Sequence, residues 1–282
     1  MVKQVYDSFF NSIFLKYILL LFFLVATARP ILAQGDLLIY PKRVIFGGSN
    51  NIEKLTLANT GKDTAIYNIS FIEYKMNQKG ELKIISAAEE GLQLASSNIR
   101  FFPRKVTLPP NESQIVKVQL RKSQDLLDGE YRSHLYFRAE EKRVPLGMMN
   151  KKKDSSFSVK LKPVFGISIP CIIRKGVNTT TVSISDLQLV KENDKYNVLF
   201  NLNRNGNMSA YGDFTVNYVS SNNTNYEVAI LKGVGVYTPG NLRKMKLKLN
   251  KPENVTFDGG LFNVVFTENE SKKVLATASL SL

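Results

Sequence analysis

The sequence has almost none of the residues that most metal sites and nucleophilic active sites require. Its 282 residues include one histidine, His134, one cysteine, Cys171, and no tryptophan. Zinc sites and Cys–His catalysis draw on several such side chains, so both are nearly excluded. Ser133 precedes His134 directly, but neighbours on a strand point to opposite faces, so His134 is predicted to be a packed strand residue. We expect a protein that is not an enzyme and uses no cofactor or metal.

The single cysteine also excludes an intramolecular disulfide, which exported proteins often use. Hydrophobic cores must therefore supply the stability of the fold. Cys171 lies in an alternating apolar segment, which predicts a buried and inert thiol. The absence of tryptophan removes the usual ring for stacking on sugars, and no paired-carboxylate motif is present, which disfavours a carbohydrate-binding or hydrolytic protein.

The N-terminus has the layout of a secretory signal peptide. Lys3 and Lys16 precede an apolar run over residues 17–26, which is short for a membrane span and is followed by small residues. We predict a signal peptide over residues 1–33, cleaved after Ala33. A second cleavage site at residues 26–28 and an uncleaved anchor remain alternatives. The mature chain of about 250 residues is long enough for two domains.

The formal net charge of +14 raises the question of an anionic partner. The basic residues are spread along predicted strands and loops, and no helix or Arg–aromatic motif collects them. Nucleic acid is therefore not an expected partner, and solvated strand faces are the simpler explanation.

Period-two alternation of apolar and polar residues dominates the sequence and predicts an all-β protein. A short helix is expected only near residues 87–95, and residues 139–155 are expected to form a long loop. The turn clusters and strand spacing indicate two immunoglobulin-like β-sandwich domains in tandem, over residues 34–174 and 177–282, with a hinge at Lys175-Gly176. The predicted strands cover residues 52–58, 65–74, 81–85, 106–108, 113–120, 131–138, 156–174, 182–190, 196–203, 212–220, 226–237, 242–249, 260–269 and 273–280.

The long strand predicted over residues 156–174 has two special features. Phe157, Val159 and Leu161 share one face, and Pro163 interrupts the strand. Because proline cannot donate to a central ladder, this strand is expected at a sheet edge.

Three segments together resemble the periplasmic pilus-assembly chaperones of the chaperone–usher pathway, the PapD-like family. The first is Tyr-Pro-Lys-Arg-Val-Ile-Phe-Gly-Gly at residues 40–48, followed by a strand that ends in Asn-Thr-Gly at residues 59–61. The second is Gly-Glu-Tyr-Arg-Ser-His-Leu-Tyr-Phe at residues 129–137, and the third is the long strand that ends at Arg174. The resemblance covers residues 36–175; the rest is similar in size and strand pattern only.

The resemblance implies a chaperone that binds and caps pilin or fimbrial subunits in the periplasm and delivers them to an outer-membrane usher. In donor-strand complementation, a strand of the chaperone pairs with the open edge of a subunit and inserts alternate apolar side chains into its core. Phe157, Val159 and Leu161 are then the inserted residues; the alternative is that they fill this protein's own core. An exposed edge strand of this kind also predicts self-association.

The resemblance further implies a site for the subunit's C-terminal carboxylate. Arg43 matches the family's arginine, and the alternative for it is an ordinary surface cation. Pro170 stands where the family has a lysine, so either Arg43 works with backbone or hydroxyl donors, or the subunits are anchored differently. Arg174 matches the family's interdomain arginine, and Arg132 occupies the position expected for its acidic partner.

A structural or adhesive surface protein, such as a pilus subunit, is the alternative function. Such a subunit carries an N-terminal donor segment with alternating apolar residues. Here the predicted mature N-terminus runs almost directly into the Leu-Leu-Ile-Tyr strand at residues 37–40, which favours the chaperone.

Overall fold

The computed structural model describes residues 37–86, 89–121, 125–140 and 164–282. Within these ranges the chain forms seventeen β-strands and no α-helix, which confirms the predicted all-β class. The helix predicted near residues 87–95 is wrong over residues 89–95, which form turns and irregular backbone. None of the described residues belongs to a helix that is long and apolar enough to cross a membrane.

The first ten strands build the first sandwich. They are β1 (Leu37–Tyr40), β2 (Val44–Phe46), β3 (Ile52–Asn59), β4 (Ala65–Met76), β5 (Leu82–Ile85), β6 (Ile99–Phe102), β7 (Lys105–Leu108), β8 (Ser113–Leu120), β9 (Gly129–Ala139) and β10 (Gly166–Lys175). One sheet has the order β1-β3-β8-β6. The other has the order β2-β10-β9-β4-β5, and β7 also pairs with β4.

Alternation along the strands produces the core of the first sandwich. In β8, Val116, Val118 and Leu120 are buried, whereas the intervening Lys117 and Gln119 are exposed. Each such fully buried aliphatic side chain stabilises the fold by about 1.5–3 kcal/mol. Cys171 belongs to the same core, which confirms the prediction of a buried thiol, and burial raises the pKa of this thiol to about 12.

The last seven strands build the second sandwich around a separate hydrophobic core. They are β11 (Thr181–Glu192), β12 (Lys195–Asn205), β13 (Ala210–Val219), β14 (Asn225–Val236), β15 (Leu242–Lys248), β16 (Leu261–Glu268) and β17 (Val274–Ser281). The two sheets have the orders β11-β12-β15 and β14-β13-β16-β17. The two cores confirm the tandem-sandwich fold class. The domain limits 34–174 and 177–282 stay a prediction.

Candidate functional site

Strand β10 presents an open edge over its first half. It pairs with β9 along its whole length, but on its other side β2 pairs in parallel only with Cys171–Ile173. Among the residues that the structure describes, no strand pairs with the outer edge of residues 166–170. Pro170 lies in this stretch, as expected for a residue that cannot donate to a ladder. The open edge therefore ends where β2 begins.

Apolar surface accompanies this edge. Ile167 and Ile169 pack toward the core of the first sandwich, whereas Phe165, directly before β10, is 69% exposed. Gly166 leaves space for the Tyr136 ring of β9, which a Cβ at that position would strike. An unpaired edge beside an exposed aromatic ring is a surface to which a further strand can add.

Arg43 lies at the point where the open edge ends. It immediately precedes β2, and the parallel register of Val44 with Cys171 brings it next to Pro170. The side chain is half-buried, and its Cζ lies 3.5 Å from the centre of the Tyr211 ring on β13 of the second sandwich. Within the described ranges, the guanidinium has no hydrogen-bond or ion-pair partner. Arg43 thus lies where the two sandwiches meet; its role as a carboxylate anchor stays a prediction.

A buried ionic cluster stands a few residues farther along β10. The Glu130 side chain on β9 is inaccessible to solvent and accepts hydrogen bonds from Arg132 Nη2 at 2.9 Å and from Arg174 Nε at 3.1 Å. Ser209 of the second sandwich donates to the same carboxylate through its hydroxyl and, at 3.3 Å, through its backbone N–H. Arg174 therefore contributes to a contact between the sandwiches.

The acidic partner of Arg174 is Glu130. The partner was expected at position 132, so the predicted position is wrong by two residues. Glu130 is directly opposite Arg174 across the β9–β10 ladder, and residues two apart on a strand share a face. Arg132 is therefore a second cation on the same carboxylate. Burial raises the pKa of Glu130, but Arg132, Ser209 and Arg174 outweigh burial, so the pKa lies below its ordinary value and the carboxylate is ionised at neutral pH.

At position 170, where the resemblance leads one to expect a lysine, the chain has Pro170, and the residue opposite it on β9 is uncharged. The cross-strand partner of Pro170 is His134, which is buried and packs edge-on against the Tyr74 ring. Burial and the Arg132 charge lower the pKa of His134 to about 3, so its imidazole is neutral at neutral pH. Arg43 is consequently the cation at the end of the open edge.

The β4–β5 hairpin makes another contact between the sandwiches. The backbone N–H of Lys244 on β15 donates to the Gln78 carbonyl in the hairpin turn at 2.7 Å. Gly80 in the same turn lies against the Arg243 guanidinium, so closely that a Cβ there would collide with it.

Several site residues could not be found by sequence reasoning. Glu130 lies inside the motif at residues 129–137, and the available signal was that it is an acidic residue two positions before Arg132. Ser209 and Tyr211 carry no motif, because only the packing of the second sandwich against the first gives them a role.

Phe157, Val159 and Leu161 lie outside the described residues, as does the predicted signal peptide. Within the described ranges, no group of three or more His, Cys, Asp or Glu side chains could hold a metal ion.

No protein-family model and no curated protein matches the sequence. Solved structures do. The chain is similar to the YadV chaperone, with 11% identity and a TM-score of 0.45 over 88% of this chain and 100% of that chain. It is similar to the CupB2 chaperone of Pseudomonas aeruginosa, with 12% identity and a TM-score of 0.40 over 86% and 98% of the two chains.

A third similar structure is the CsuC–CsuE chaperone–tip adhesion subunit pre-assembly complex from the archaic chaperone–usher Csu pili of Acinetobacter baumannii. The identity is 16% and the TM-score 0.40, over 75% of this chain and 90% of that chain. Each of the three structures is a chaperone or contains one. All three are likenesses of overall fold.

Proposed function

We propose that the protein is a periplasmic chaperone that binds and caps pilin or fimbrial subunits by donor-strand complementation and passes them to an outer-membrane usher. The observation that carries the proposal is that the unpaired edge of β10 ends at β2 and that the cationic side chain of Arg43 lies at this end. A strand that adds to residues 166–170 of β10 reaches β2 at Cys171 and must end there. The end of that strand then meets Arg43, whose guanidinium suits a terminal carboxylate.

The donor residues in this proposal are Phe157, Val159 and Leu161. They precede the open edge of β10 in the sequence and alternate with polar residues, so an extended backbone presents all three on one face. Backbone hydrogen bonds to the subunit supply affinity, and the alternate apolar side chains supply specificity. The subunit's own folding free energy drives the later exchange of strands, so the proposal needs no nucleotide or other cofactor.

Replacement of Arg43 tests the carboxylate anchor. Arg43→Ala is expected to change the melting temperature little, because the half-buried side chain has no ion-pair partner among the described residues and its contact with the Tyr211 ring contributes only about 0.5–2 kcal/mol. It is expected to abolish co-purification of subunits from the periplasm, measured by affinity capture and mass spectrometry. Lys42→Ala is the matched control, since Lys42 is a neighbouring exposed cation and its loss changes net charge equally. Wild-type recovery of subunits with Arg43→Ala would show that Arg43 is not the anchor.

Replacement of the donor residues tests strand donation independently. The double change Val159→Ser, Leu161→Ser is expected to leave the melting temperature nearly unchanged and to remove most subunit affinity. Lys160→Ser, on the opposite face of the strand, is the control and is expected to bind normally. If the side chains instead fill this protein's own core, each large-to-small change costs about 2–5 kcal/mol of stability, and thermal melts of the double variant reveal it.

A further inference from the structure

Two tyrosine rings of the second sandwich lie against a strand that lacks side chains at the contact positions. Tyr237, directly after β14, occupies the space next to Gly235, where an added Cβ would strike its ring. Tyr211 on β13 extends its hydroxyl toward Gly233, where an added Cβ would lie 3.0 Å from the oxygen. Gly233 and Gly235 thus leave space for the side chains of Tyr211 and Tyr237. We call these two tyrosine rings the tyrosine platform.

Each ring of the tyrosine platform receives one guanidinium from the first sandwich, but the two arginines differ in their other contacts. Arg132 Cζ lies 3.8 Å from the centre of the Tyr237 ring, and this arginine is buried and bonded to Glu130. Arg43 Cζ lies 3.5 Å from the centre of the Tyr211 ring, and this arginine is half-buried. Both contacts join the sandwiches, but only the Arg43 contact places a cation beside the open edge of β10.

We propose that Tyr211 is a positioning residue of the carboxylate site and holds the Arg43 guanidinium ready for the end of the incoming strand. This inference rests on the proposed function. A guanidinium donates its hydrogen bonds in its own plane, so stacking on a ring leaves all five N–H groups available to a carboxylate. The ring also excludes water from one face and restricts the side chain before binding, so less freedom is lost when the carboxylate arrives.

The surroundings of Arg43 explain why such positioning matters in this chain. Position 170 is a proline, and its cross-strand neighbour His134 is neutral at neutral pH. In this proposal Arg43 is the cation that holds the carboxylate. Preorganisation by Tyr211 strengthens that binding, because the bidentate geometry that Arg43 needs is already present.

The first arm of the test needs no partner. Stacking on an aromatic ring shifts the NMR signals of the Arg43 side chain through the ring current and slows exchange of its Nε proton. Tyr211→Phe is expected to keep both effects, because the ring remains, and Tyr211→Leu is expected to remove them. Tyr237→Leu, which removes the other ring of the platform, is the matched control and is expected to leave the Arg43 signals in place. Unchanged Arg43 signals in Tyr211→Leu would overturn the inference.

The second arm measures carboxylate recognition. The probe is the C-terminal peptide of a subunit that co-purifies with the full-length protein, synthesised both as the free acid and as the amide. Wild type, Tyr211→Phe and Tyr237→Leu are expected to favour the acid by about tenfold or more. In Tyr211→Leu the ratio is expected to fall toward one, as in Arg43→Ala. A loss of general packing would weaken both peptides alike and leave the ratio unchanged.

The outcomes separate the two proposals. A wild-type ratio in Tyr211→Leu, with the ratio lost in Arg43→Ala, overturns the role of Tyr211 and leaves the proposed function standing. A ratio near one in the wild type overturns the carboxylate anchor itself. If Tyr211→Leu does not fold, Tyr211→Met is measured in the same way, because its flexible side chain fills the space without an aromatic face.

Discussion

Glu130 supplies the negative charge that balances Arg132 and Arg174 in the buried cluster near the second sandwich. It is the carboxylate that both Arg132 and Arg174 contact, and the structure buries it almost completely. Glu130→Gln keeps the shape of the side chain and leaves two guanidinium groups without their counter-charge. Breaking a buried pair in this way typically costs about 3–5 kcal/mol, and partial exposure of Arg174 places the expected loss toward the lower figure. Urea unfolding measures it.

The exposed pair Lys246–Glu192, with an N–O distance of 2.6 Å, provides the comparison for that measurement. Glu192→Gln removes the same kind of group from a solvated pair and is expected to cost less than about 1 kcal/mol. Equal losses in the two variants would contradict the role assigned to burial.

His134 makes the free energy of unfolding depend on pH between about pH 3 and pH 6.5. Its pKa is lowered from 6.5 to about 3 by burial and by Arg132, so between these values the unfolded chain binds a proton that the folded chain does not. Stability is therefore expected to fall as pH falls, by up to about 1.4 kcal/mol per pH unit within the window. Glu130, whose pKa is also lowered, adds a loss only as the pH falls below its ordinary value of 4.5.

The variant His134→Phe isolates the histidine. The phenyl ring keeps the edge-on contact with Tyr74 and cannot titrate, so stability at about pH 5 is expected to match stability at about pH 7 more closely than in wild type. Urea unfolding at both pH values is the measurement. An unchanged pH dependence in the variant would show that another group is responsible.

At the scale of elements, the β4–β5 hairpin depends on Gly80. This residue has φ of +82° and lies against the Arg243 guanidinium. Gly80→Ala places a side chain in a strained backbone conformation and in occupied space, so we expect a loss of about 1–3 kcal/mol, measured by thermal or urea unfolding. Gly48→Ala is the control, because nothing lies within 4 Å of the added Cβ. A neutral Gly80→Ala would mean that the hairpin moves away at no cost.

The elements also show what the sequence could predict. All seven strands of the second sandwich were predictable, because apolar and polar residues alternate over most of their length and turns separate them, although the pairings of β11 and β14 contain register shifts. Strand β6 was missed, since Ile-Arg-Phe-Phe at residues 99–102 is too short to show a period. The helix expected near residues 87–95 is short, and a segment so short forms a helix only where tertiary packing supports it.

The candidate site was predictable only in part, for a related reason. Arg43 and Arg174 lie in segments with local motifs, and both stand where the sandwiches meet. The acidic partner of Arg174 was predicted two positions away from Glu130, because a strand motif indicates which face a residue lies on but not which residue it pairs with. Tyr211 and Ser209 gain their contacts from residues far away in the sequence, so no local pattern marks them.

At the scale of the whole molecule, the two sandwiches are joined by contacts of different kinds. They are connected by the Glu130–Ser209 hydrogen bonds, by the contact of the Arg43 guanidinium with the Tyr211 ring and by the Gln78–Lys244 backbone bond. Residues 37–282 form one compact unit. We therefore expect the sandwiches to unfold together. Hydrogen exchange followed by mass spectrometry should give the same opening free energy for peptides from both cores, and Ser209→Ala should lower both. Two separate transitions in the wild type would contradict this coupling.

The burial of Cys171 would have a consequence in an oxidising compartment such as the periplasm proposed above. The only sulfhydryl of the chain is enclosed in the first core between β2 and β9, and its high pKa keeps it protonated. Oxidants and disulfides react with the thiolate, so the protonated and buried thiol of a correctly folded molecule is expected to react with them slowly. A copy that has lost its first core exposes the sulfur and becomes open to mixed disulfides. Covalent cross-linking through this residue would therefore mark damaged molecules selectively and spare intact ones.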